Sequence, residues 1–122
     1  YPYAERLVPA LRAAGAERAG VVAFDEHIAG NLRQAFPDAA IFTPHVGFYR
    51  PPEAGSPCIA VWDRRRFGDR PGLAAAAGVD GFGPTARVDG PTWMPLAIRE
   101  TPTVAWAFAV SDAPCRGAAP GS

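Results

Sequence analysis

Few residues in this chain have both the type and the placement to do chemistry. Asp25, Glu26 and His27 come first. They follow the apolar run Gly20 to Phe24 and open a helix-like segment. Open α/β sheets bind ligands at the carboxyl ends of their strands, and there such a trio can ligate a metal or exchange protons. The same residues also suit a simpler role. Asp25 is a natural N-cap, and an acidic first turn favours the positive end of a helix dipole. No further carboxylate or His stands at ligand spacing, so the capping role is the stronger expectation and no metal site is expected. Asp63 ends a second strand-like run, Cys58 to Trp62, and can face Asp25 across the sheet edge. A pair of carboxylates there would suit a hydrolase or nuclease, although a strand-terminal Asp commonly caps a turn.

A second group lies in the loop HVGFYRPPEAGSP, residues 45–57. His45, Tyr49 and Arg50, with Phe48, combine aromatic, basic and donor groups, as loops that contact sugars or phosphates do. Arg50 and the run Arg64-Arg65-Arg66 can hold a phosphate, though a charge run more often marks a solvated face. The familiar catalytic signatures are missing. No Gly-rich phosphate loop follows the first strand, no G-x-S-x-G elbow is present, and there is no C-x-x-C pair. No catalytic residue and no cofactor is therefore assigned.

The elements that position these residues follow from periodicity. Ala4, Leu7, Val8, Leu11 and Ala14 recur at helical steps, with Gly15 as the C-cap; Pro9 predicts a kink or a restart near Leu7. Gly20 to Phe24 reads as a buried strand and Glu26 to Phe36 as a helix with Ile28, Leu32 and Phe36 inward. Ala40 to Thr43 and Cys58 to Trp62 read as strands, and Pro71 to Ala77 as a short helix. Beyond residue 84 the pattern turns antiparallel: Thr85 to Asp89, Thr92 to Arg99 and Thr103 to Val110, with a turn at Glu100-Thr101-Pro102. In the last run Val104, Trp106, Phe108 and Val110 alternate with small residues. Pro95 would confine Thr92 to Arg99 to an edge or a bulge. The expected fold class is α/β: a small mixed sheet with helices, parallel in its first half, ending in an antiparallel hairpin. Residues 1–115 are expected to form one domain excised from a larger protein, and 116–122 a flexible tail.

Composition narrows the function classes. At 122 residues the chain suits one domain and can bury roughly two-thirds of its unfolded surface. Its 12 basic and 12 acidic residues cancel, which disfavours nucleic acid as a partner. Every basic residue is Arg, so Arg marks no special site by its identity. No run approaches the ~20 apolar residues of a membrane span. Cys58 and Cys115 can be unrelated thiols or one bridge. If the last strand runs antiparallel to Cys58 to Trp62, the tail after it passes near Cys58, and a disulfide is expected.

The stretch AERLVPALRAAGAERAGVVAFDEHIAGNLRQAFPDAAIFTP, the Pro-rich loop after it, and CIAVWD together cover about residues 4–63. This region resembles the C-terminal soluble part of bacterial membrane glycosyltransferases of the GT-C type, related to protein O-mannosyltransferases and aminoarabinose transferases. The likeness rests on a helix ending LRAAG, a strand, a helix over an FPD turn, and a strand ending in TP. The resemblance implies a parent enzyme that moves a sugar from a polyprenyl-phosphate donor outside the cytoplasmic membrane. Its catalytic acids would lie in the membrane domain, and none maps here. The soluble part would partner that membrane domain, and with it a lipid-linked sugar or a glycan acceptor. That extracytoplasmic location agrees with a disulfide. Two rivals stand beside it: a small hydrolase or nuclease using Asp25, Glu26 and Asp63, and a sugar- or nucleotide-binding module.

Overall fold

The computed structural model describes residues 2–44, 55–91 and 103–116. The chain order is α1 (Pro2–Ala13), a 3-10 turn (Ala16–Arg18), β1 (Ala19–Ala23), α2 (Glu26–Ala35), β2 (Ala40–Phe42) and β3 (Gly55–Asp63). Two short helices, α3 (Arg64–Phe67) and α4 (Leu73–Ala77), come next, then β4 (Ala86–Pro91) and β5 (Thr103–Ser111). The strands form one five-stranded sheet in the order β2-β1-β3-β5-β4. β1 pairs parallel with β2 and β3, while β5 pairs antiparallel with β3 and with β4. The α/β class, the parallel first half and the antiparallel end are as the sequence predicts.

Each face of the sheet carries its own core, because a strand sends alternate side chains to opposite sides. On the first face, Val21, Ala23, Ile59, Val61, Trp106 and Phe108 meet Leu7 and Leu11 of α1 and Ile28 and Leu32 of α2. On the second face, Val22, Ala60, Trp62, Ala107 and Ala109 meet Leu73, Ala76 and Ala77 of α4 and the two cysteines. β1 and β3 are therefore apolar on both sides, which explains their unbroken apolar runs. β5 alternates large against small, with Trp106 and Phe108 toward the long helices and Ala107 and Ala109 toward α4.

Three details differ from the sequence reading. α1 runs unbroken through Pro9, with no restart at Leu7. Leu7 and Leu11 on either side of the proline are fully buried while Pro9 is exposed, so packing on the sheet carries the helix across it. β3 is longer than Cys58 to Trp62, because a strand paired on both sides recruits its neighbours. Ala19 pairs Gly55 while Gly20 pairs Cys58, and this irregularity accommodates Pro57, which has no N–H for the ladder. β4 sits slightly later than Thr85 to Asp89. The expected strand Thr92 to Arg99 and the turn at residues 100–102 lie outside the described residues.

Gly15, at the end of α1, has φ +96° and leads directly into the 3-10 turn, the left-handed geometry expected of a residue in that place.

Candidate functional site

The chain leaves β1 toward β2 on one side of it and returns to β3 on the other. The crevice outside the carboxyl ends of β1 and β3 is thus the topological switch point, where sheets of this kind place ligands. Asp25 and Asp63 both stand there. Ala23 pairs with Val61, and the two aspartates each follow two residues later at the same edge. The expectation that they face one another across neighbouring strands fits this register.

Both carboxylates are helix caps. The Ile28 N–H donates to Asp25 Oδ1 at 2.8 Å, which starts α2, and the Arg65 N–H donates to Asp63 Oδ1 at 2.9 Å, which starts α3. Each also has an arginine. Arg66 Nη1 is 3.4 Å from Asp25 Oδ2, and Arg65 Nε is 3.4 Å from Asp63 Oδ1. The Asp63 side chain is 9% exposed and that of Asp25 14%; Asp25 is contacted on both oxygens, whereas both of these contacts to Asp63 fall on Oδ1.

Glu26 and His27 serve the same helix start. Thr43, buried at the end of β2, donates from Oγ1 to Glu26 Oε1 at 2.9 Å, and Arg33 Nη1 lies 3.8 Å from Glu26 Oε2. The carbonyl of exposed His27 accepts from Asn31 Nδ2 at 2.8 Å. Among the described residues no group of three His, Cys, Asp or Glu side chains could hold a metal ion. The Arg64 to Arg66 run opens α3. Arg64 pairs with Asp89 of β4, so each arginine of the run faces an aspartate: Asp89, Asp63 and Asp25. The Arg65–Asp63 contact is local to the helix start, whereas Arg66–Asp25 and Arg64–Asp89 join residues 41 and 25 positions apart, which sequence spacing does not reveal. His45, Tyr49 and Arg50 lie outside the described residues.

Under the crevice sits an aromatic cluster. Phe24 stacks edge-on against Trp62 and Phe67, with ring centroids 6.3 Å and 5.5 Å away. The Trp62 indole N–H donates to the Gly68 carbonyl at 3.1 Å, which satisfies a fully buried ring and pins the end of α3.

On the second face, Cys58 and Cys115 form a disulfide with Cα atoms 4.9 Å apart. Cys58 pairs with Ser111 across the β3–β5 ladder, so the tail turns back onto its neighbour strand within four residues. Further bonds hold that tail. The Arg116 N–H donates to the Ala77 carbonyl, and Ser111 Oγ donates to the Asp80 carbonyl at 2.7 Å.

No protein-family model, curated protein or solved structure matches this chain. Among the described residues no helix is long and apolar enough to cross a membrane.

Proposed function

We propose that this chain is an extracytoplasmic accessory domain of a membrane glycosyltransferase that uses a polyprenyl-phosphate-linked sugar, without catalysis of its own. The reading joins the sequence resemblance over residues 4–63 to one structural observation, the buried Cys58–Cys115 bridge. Disulfides persist in oxidising compartments, and the donor sugar of such enzymes is used on that side of the membrane. The capped, arginine-paired aspartates of the crevice support a structural role at the position where a ligand would otherwise sit. On this reading the domain meets its parent's membrane portion and borders the lipid-linked donor or the glycan acceptor.

The test uses the full-length parent gene. Cysteine-accessibility labelling should place this domain outside the cytoplasmic membrane. Its deletion should reduce sugar transfer from a polyprenyl-phosphate donor while the membrane portion still inserts. A cytoplasmic domain, or a parent without membrane spans, overturns the reading.

A further inference from the structure

Among the described strands, β4 closes one end of the sheet with its outer edge unpaired. Exposed edges invite another strand, and proteins commonly guard them with charges and proline. β4 carries such charges in an unusual order. Arg87 and Asp89 carry opposite charges at equal distance on either side of Val88. We propose that this edge pairs with the same edge of a second copy of the chain, antiparallel about Val88, which extends the sheet across a two-fold axis.

The register of β4 on β5 assigns the faces. Val88 lies opposite Trp106 and packs against the first core, while Arg87 and Asp89 lie opposite Ala107 and Ala105 on the other face. A two-fold at Val88 sets Val88 beside Val88 on the first face, an apolar β-branched pair. It also sets Arg87 of each copy opposite Asp89 of the other, giving two ion pairs on the second face. The next positions outward bring Ala86 opposite Gly90, so no bulky side chain meets another. Parallel pairing in register would set like charges side by side, so charge selects the antiparallel arrangement.

The local surroundings agree. Arg87 is exposed, and the Asp89 side chain is 50% exposed although Arg64 already touches one of its oxygens. A carboxylate accepts from two guanidinium groups without crowding. Arg6 Nη1 reaches the Asp89 carbonyl at 3.4 Å, a long contact from an exposed side chain that gives way to a backbone donor. One short strand pair buries less than the ~1,200 Å² of a stable interface, so the association is weak and depends on concentration.

Sedimentation of the isolated chain over a range of concentrations tests the proposal. The weight-average mass should rise toward that of two chains at high concentration, with amide protection over residues 86–90 rising in parallel. Arg87→Glu and Asp89→Arg should each remain monomeric, because each sets like charges across the two-fold. Their mixture should associate, since the acidic edge of one then meets the basic edge of the other. Circular dichroism checks that both variants fold, and if Asp89→Arg does not fold, Arg87→Glu and the amide protection decide. A wild-type chain that stays monomeric throughout overturns the proposal. So does Arg87→Glu self-associating like the wild type, or two folded variants that fail to associate with each other.

Discussion

Arg66 of α3 reaches back across the switch-point crevice to the Asp25 carboxylate, 3.4 Å away. The helix that follows β3 therefore touches the cap of the helix that follows β1. The carboxylate is held by α2's own backbone on one side and by a guanidinium from a different element on the other. The two contacts differ in worth. The cap satisfies a backbone donor that would otherwise lack a partner. The arginine is largely exposed, and such pairs contribute little.

Replacing Asp25 by Ala should accordingly destabilise the domain by about 1 kcal/mol, the usual cost of losing a cap. Asn at the same position should recover most of the loss, because its carbonyl oxygen accepts the same bond. Arg66→Ala should cost less than about 0.5 kcal/mol. Urea denaturation of the three variants checks this ranking. An Arg66→Ala loss as large as that of Asp25→Ala would show that the ion pair matters more than the cap.

The bridge between Cys58 and Cys115 spans a sequence separation of 57 residues. Closing so long a loop is worth roughly 4 kcal/mol in the chain-entropy model. Intact mass under denaturing conditions should show no free thiol without reductant and two with it. Replacing both cysteines by Ser should lower the midpoint of urea denaturation strongly. Two titratable thiols in air-exposed protein would refute the bridge.

Trp62 should be the most sensitive position on the second face. It is fully buried, contacts Phe24 edge-on and donates to Gly68. Trp62→Phe should cost less than Trp62→Ala, for which about 3–5 kcal/mol is expected from cavity formation. The size of the difference, read by thermal denaturation, separates packing from the lost indole hydrogen bond.

The isolated domain should hydrolyse no phosphodiester with any divalent metal added. The expectation follows from two carboxylates already occupied by backbone donors and arginines. Metal-dependent hydrolysis that disappears in Asp25→Asn would instead favour the nuclease alternative.

The periodicity of the chain was sufficient for the class of fold. The doubly apolar runs Gly20 to Phe24 and Cys58 to Trp62 suit buried strands, and the period of two around Trp106 suits a strand with two unlike faces; the structure places them so. Asp25 was legible as a cap because an N-cap depends on residues adjacent in sequence. Pairing between distant elements was not legible. Nothing local says that Arg66 meets Asp25, that Arg64 meets Asp89, or that α1 passes unbroken through Pro9. Those outcomes depend on which strands lie side by side and on the burial of Leu7 and Leu11, and a local pattern does not encode them. The cysteine bridge stands between the two cases. The residues allowed it and a strand argument favoured it, but only the antiparallel register that sets Cys58 opposite Ser111 brings Cys115 within reach, because a disulfide requires close approach in space.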